Sequence, residues 1–273
     1  MKINIIAVTL LAILAASCKD GKQVQPAENI IETPKFHNKG HELVYDMVQK
    51  VGNYSKLAEK KNVQYTYTYQ TPDGKTDISQ ERYIFDGELS YGKYTTHERT
   101  LSQLEGTIEQ GYDGKEYWLR HNGNIITEEA ALKRVAFNRP TNYYWFTMMQ
   151  KLLDPGLIYD YLGDKTIDDV KYQVVKVSFT SPDDKPTDIY QLYINSSTQL
   201  VDQFLFTVAD FGKMEVPNLM QMEYEDVDGI LIPTKRKYKQ STWDAEISDK
   251  PWVSVMWSDI KFDTGLTKAD FKK

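Results

Sequence analysis

Cysteine occurs once, at Cys18, in 273 residues. No disulfide can form within the chain, so the fold rests on its apolar core. Histidine occurs four times. His37 and His41 have a spacing that a metal site could use, but no cysteine and no second histidine pair accompanies them, and solvated histidines at a helix start describe them better. Positive charge is not in excess. Lys and Arg number 33 against 39 Asp and Glu, a net charge of −6, which argues against nucleic acid or an anionic lipid surface as partner. Signatures of catalysis are missing too: there is no Gly-x-Ser-x-Gly elbow, phosphate-binding glycine loop, dinucleotide fingerprint or His-Glu-x-x-His. Asp226-Val227-Asp228-Gly229 opens like a calcium loop but lacks the later ligands, and reads as a hairpin turn. No cofactor and no metal is expected. A hydrolase with a carboxylate pair stays open as the less favoured reading, because such an enzyme needs only two acidic residues and no pair stands out.

The one long apolar run carries the clearest signal. Lys2 supplies a positive charge, residues 5–16 are apolar except Thr9, and small residues lead out of the run. This is a secretory signal, shorter than the roughly 20 residues that span a bilayer as a helix. No other run approaches that length. Leu14-Ala15-Ala16-Ser17-Cys18 resembles a bacterial lipobox. The resemblance implies cleavage before Cys18, a diacylglycerol on its thiol and an acyl chain, such as palmitate, on the new amino group. An ordinary signal peptide with Cys18 as a passenger is the alternative. Two or three acyl chains make a stable membrane anchor where one does not. The expected organisation is a lipoprotein signal peptide over residues 1–17, a flexible polar tether over 18–35 and a single domain over 36–273. The expected location is the outer membrane, lipid-anchored and facing the periplasm, with the cell surface as the alternative.

Within the domain the hydrophobic period changes several times. Residues 41–54 read as a helix, with Leu43, Val44, Met47, Val48 and Val51 on one face. Residues 63–70 alternate, as in a strand with one buried and one solvated face. Strands follow at 78–86 and 89–96 across short turns, the spacing of an antiparallel meander. Residues 128–160 form a helical interruption, with a short helix around Val135 before an over-apolar one around Trp145. A second meander begins near Tyr161 and runs to Phe262. Its strand at 172–179 changes apolar phase between Val174 and Val175, which suggests a bulge. Lys235, Lys237 and Lys239 alternate as the protecting lysines of an edge strand would.

Helix, meander, an Asp113-Gly114-Lys115 turn with Trp118, apolar helices and a second meander with a hairpin at residues 190–201 make up an order that resembles the Lol-type (LolA/LolB-like) lipoprotein carriers and receptors of the cell envelope, closest to large lipoproteins of Bacteroidota. The resemblance implies a mainly β fold with a helical lid: an unclosed antiparallel β half-barrel wrapped around an apolar helix and an apolar cavity. It implies a non-catalytic protein that binds a cell-envelope lipid, a lipoprotein acyl chain or another amphiphile. In the soluble carriers an arginine ties lid to barrel; here Arg82 and Arg134 are available and neither sits in a matching motif.

The candidate cavity lining combines alternating aromatics with the over-apolar helix. It comprises Tyr65, Tyr67, Tyr69, Tyr83, Phe85 and Trp118 from strands. Trp145, Phe146, Met149, Leu152 and Leu153 come from the helix, and Met220 and Met222 from a later strand. Methionine adapts to irregular partners, and pockets for apolar ligands are mostly apolar with few polar groups. The alternative is that these side chains fill the core, leaving a structural lipoprotein that meets other envelope proteins.

Overall fold

A computed structural model describes residues 34–181 and 185–273. The expected signal peptide, Cys18 and nearly all of the tether lie outside the described residues. The chain from Phe36 to Lys273 forms one compact unit. It opens with α1 (Lys39–Val51), capped by the Asn38 side chain on the His41 N–H, and its face of Leu43, Val44, Met47, Val48 and Val51 is buried. Gly52 ends it, and a further short helix, α2 (Tyr54–Glu59), follows where sequence periodicity showed none.

The sheet is built in two runs. β1 (Asn62–Gln70), β2 (Thr76–Ile84), β3 (Leu89–His97), β4 (Ile108–Tyr112), β5 (Tyr117–His121) and β6 (Asn124–Ile126) each pair with the next, antiparallel. The helix α3 (Glu129–Lys151) follows. A second meander then runs through β7 (Leu157–Ile167), β8 (Val170–Phe179), β9 (Ile189–Asn195), β10 (Val201–Val208), β11 (Lys213–Val227), β12 (Ile230–Gln240) and β13 (Val253–Phe262). β13 returns to pair with β1, setting Trp257 opposite Tyr67. The result is one 13-stranded sheet whose edges are β6 and β7. α3 joins those two edges across the concave face, a span of about 35 Å for its 23 residues. The unclosed antiparallel half-barrel around a helix is the fold that the Lol-type resemblance implies.

α3 passes through three packed clusters in succession. Ala131 and Val135 pack with Tyr94, Ile108 and Leu119 of β3 to β5. Tyr143 and Phe146 pack with Tyr65, Tyr83 and Trp257. Met148, Met149 and Leu152 pack with the buried face of α1 and with β8 to β11. A helix packed against several clusters buries more than one face, which is why the apolar residues around Trp145 exceed the needs of a single buried face.

Three sequence expectations change. The two helices expected over 128–160 are one, continuous through Pro140; the lost hydrogen bond to the Ala136 carbonyl is tolerated because both halves are held by tertiary packing. The bulge lies on β7, between Tyr161 and Gly163, opposite the Val174–Val175 step. β8 changes apolar phase because Tyr172 and Val174 pack on the convex face beside Trp243 and Trp252, while Val175 and Val177 face α1. Lys235, Lys237 and Lys239 do not guard an edge, since β12 lies between β11 and β13. Lys237 and Lys239 instead sit over the Trp252 ring, and Lys239 donates to the Ser248 carbonyl at 2.6 Å. Asp226 to Gly229 is the expected hairpin turn: Asp228 and Gly229 both have positive φ, and the Gly229 N–H donates to Asp226 Oδ1 at 2.7 Å.

Candidate functional site

A cavity of about 690 Å³ opens between the middle of α3 and the concave sheet, within the roughly 300–1,000 Å³ of small-molecule sites. Strand alternation builds its walls. Tyr67 and Tyr69 project inward from β1, Phe206 from β10, Met220 from β11, Arg236 and Tyr238 from β12, and Val255 from β13. Tyr144 and Trp145 close it from α3, and Phe137 meets Phe211 edge-on at the outer end, ring centroids 5.1 Å apart. The Tyr69 and Tyr238 hydroxyls hydrogen-bond across the wall.

Of the expected lining, Tyr67, Tyr69, Trp145 and Met220 stand on this cavity. Tyr65, Tyr83, Phe85 and Phe146 are packed together beneath α3. Met149, Leu152 and Met222 fill the cluster against α1, with Leu153 packed on it. Trp118 is on the other side of the sheet: its indole N–H donates to the Phe271 carbonyl at 2.8 Å, among Leu89, Tyr91 and Phe271. Strand phase explains the difference, since Leu119 and not Trp118 faces α3. Much of the concave face is therefore filled by its own side chains, and the cavity stands beside these packed clusters.

Charged groups beneath α3 were not visible as a group in the sequence. Arg139, fully buried, makes a two-pronged ion pair with Glu81 of β2 at 2.9 and 3.2 Å. Glu81 also accepts from Ser79 at 2.7 Å and Tyr83 at 3.0 Å, and the Tyr83 hydroxyl bonds Tyr65 at 2.9 Å. Burial works against the Arg139 charge, and the Glu81 carboxylate more than offsets it, leaving the guanidinium above its ordinary value. Gly92 makes room: a Cβ there would lie 2.6 Å from Arg139 Nη1. This pair ties helix to barrel, in place of Arg82, which bonds Gln64 and lies over Tyr91, and of Arg134, which lies over Phe137 at the outer end.

On the cavity wall, Asp77 accepts from Thr100 Oγ1 at 2.7 Å and pairs with Arg99 at 3.3 Å, while the Arg99 guanidinium lies 3.8 Å from the Tyr69 ring centroid. Asp188 accepts from the Ala209 N–H at 2.7 Å, and burial raises its carboxyl above the usual value. Arg236 differs from both. It is 6 % exposed, stacks on Trp257 at 3.7 Å, and has no carboxylate partner among the described residues; its Nε has no hydrogen bond. Burial pushes its guanidinium down to about 10, against the pull of the Tyr67 and Tyr65 hydroxyls, so it remains a cation at neutral pH. Burial likewise raises Tyr67, with Arg236 opposing. Among the described residues no group of His, Cys, Asp and Glu is placed to hold a metal ion.

The strand pattern does contain Arg236. It sits between outward Lys235 and Lys237 and shares the inward phase of Tyr238. Arg139 and Tyr143 stand one helical turn apart, so the buried face of α3 was likewise readable as containing a charge.

Comparison with known proteins points the same way at the level of fold. No curated protein matches the sequence. Residues 122–216, from the turn between β5 and β6 to the start of β11, match the model of a family of unknown function, DUF6503. Among solved structures, a DUF1329 family protein from Desulfovibrio piger is similar at 14 % identity and a TM-score of 0.51, over 85 % of this chain and 95 % of that one. A LolA superfamily protein from Nitrosomonas europaea is similar at 14 % identity and a TM-score of 0.47, over 84 % and 97 % of the two chains. An outer membrane lipoprotein-sorting protein domain from Vibrio parahaemolyticus gives 11 % identity and a TM-score of 0.49, over 86 % and 96 %. At 14 % identity, what this protein shares with the Desulfovibrio protein is the fold.

Proposed function

We propose that this protein is a non-catalytic binding protein of the cell envelope, anchored to the outer membrane through lipid on Cys18, which holds an acyl chain of a lipid or lipoprotein in the cavity beneath α3. The cavity itself carries the reading: about 690 Å³ left open beside the packed clusters, with Tyr67, Trp145, Phe206 and Met220 on its walls. Each methylene of an acyl chain moved from water into such a wall contributes about 0.8 kcal/mol, so transfer in and out needs no covalent step. The lipobox at Cys18 supports the anchor.

The test is native mass spectrometry of the full chain carrying Cys18→Ser, followed by organic extraction. A stoichiometric lipid or acyl species is the expected result. Protein that is empty and displaces no fluorescent fatty acid would rule the reading out. That outcome would favour a second reading, a structural lipoprotein that meets envelope proteins, which the dense packing of Phe146, Met149 and Leu152 supports.

A further inference from the structure

An acyl-chain site has no need of a buried cation, yet this one contains Arg236. We propose that the cavity takes an anionic amphiphile head-first, its carboxylate or phosphate pairing with Arg236 and its chain running along Tyr67, Trp145 and Phe206 toward Phe211. This rests on the reading of the cavity as an amphiphile site and adds the charge and orientation of its ligand.

The Arg236 charge is unanswered within the protein. Two other arginines in this concavity have their carboxylates, Arg139 with Glu81 and Arg99 with Asp77, while Arg134, only half-buried, lies over Phe137 at the outer end. Arg236 has none among the described residues, although it is 94 % buried, and Asp77 and Asp188 on the same wall are already engaged. A buried cation without a partner is costly, and the fold holds it by stacking on Trp257 at 3.7 Å and by Trp145 at 5.8 Å, neither of which supplies negative charge. An entering anion would supply it and would form charge-assisted hydrogen bonds, the stronger class. Orientation follows from exposure. Arg236 lies at the buried end, and Phe211, 56 % exposed, lies at the outer end with Lys213.

The experiment is calorimetric titration of the full chain carrying Cys18→Ser with palmitate, hexadecyl phosphate, hexadecanol, acetate and inorganic phosphate. The expected result is that palmitate or hexadecyl phosphate binds roughly 10- to 100-fold more tightly than hexadecanol, the stronger of the two naming the headgroup. Arg236→Met is expected to bring the anionic ligand down to the hexadecanol level, and Arg236→Lys to retain part of the preference. The wild-type comparison stands even where a variant does not fold. Equal binding of palmitate, hexadecyl phosphate and hexadecanol would overturn the inference and leave the acyl-chain reading intact. Binding of acetate or inorganic phosphate as tight as that of the long-chain anions would overturn it in favour of a small-anion site. No binding of any long chain would overturn both.

Discussion

Arg139 and Arg236 face the same concavity, and both are removed from solvent, but their surroundings are opposite. Arg139 meets a carboxylate in two-pronged geometry, with Ser79 and Tyr83 completing the hydrogen bonding of Glu81. Arg236 meets aromatic faces and an open volume. A buried charge that the protein itself answers belongs to the framework. One that it leaves unanswered on a cavity wall is a site prepared for something that arrives from outside. The two arginines also mark two parts of the interior: a seam where α3 is fastened to β2 and β3, and a chamber between the middle of α3 and the inward side chains of β1 and β10 to β13.

The largest expected effect breaks the framework side of this contrast. Arg139→Met leaves Glu81 buried without its partner and is expected to lower stability by about 3–5 kcal/mol in urea unfolding. The double variant Glu81→Leu with Arg139→Met is expected to recover much of that loss, because removing both charges also removes the unpaired one. Next in size is a pair of truncations on α3. Met149→Ala empties a packed position and is expected to cost about 2–5 kcal/mol, whereas Trp145→Ala removes the wall of a volume that is already open and is expected to cost about 1–2 kcal/mol. Equal costs would mean that the chamber is closed by packing in solution. Smaller still, and opposite in sign, Arg236→Met is expected to raise the melting stability of the empty protein by about 1 kcal/mol, since it removes a buried charge that has no partner. Loss of stability on that change would place Arg236 with Arg139 in the framework. The smallest effect belongs to Lys235→Ala on the convex face, paired only with exposed Glu223 and expected to stay within about 0.5 kcal/mol.

The fold was legible where period and turn chemistry agreed. β1 alternates tyrosines with polar residues over its whole length, and the Asp-Gly and Asn-Ser turns fall between strands as their backbone preferences require. α1 showed its buried face for the same reason. β4 was missed because Gly111 and Gln110 break its apolar pattern; the absent Cβ of Gly111 lets the Trp118 indole lie against the strand, with atoms 2.2 Å from where a Cβ would stand. α3 was read as two helices because proline ordinarily interrupts one, and its tertiary packing overrode that preference.

The site was legible in part, and for a definable reason. Aromatic alternation groups Tyr65, Tyr67, Tyr69, Tyr83 and Phe85 as one expected cavity lining, but it does not say how far along the sheet α3 lies against it. Tyr65, Tyr83 and Phe85 are consumed by that packing, while Tyr67 and Tyr69, farther along β1, are left on the open wall. The charged groups were overlooked because a buried charge and a solvated one look alike in a list of residues. Only their phase against inward neighbours, Arg236 with Tyr238 and Glu81 with Tyr83, separates them.

The most direct test of the account asks where a chain lies when it binds. Dibrominated stearate quenches nearby tryptophan, and the five tryptophans of this chain are distributed over both faces of the sheet. The account predicts strong quenching that is mostly lost in Trp145→Phe and unchanged in Trp118→Phe, whose indole packs on the convex side. Quenching that persists in Trp145→Phe and disappears in Trp118→Phe would place the ligand outside the chamber and contradict the account.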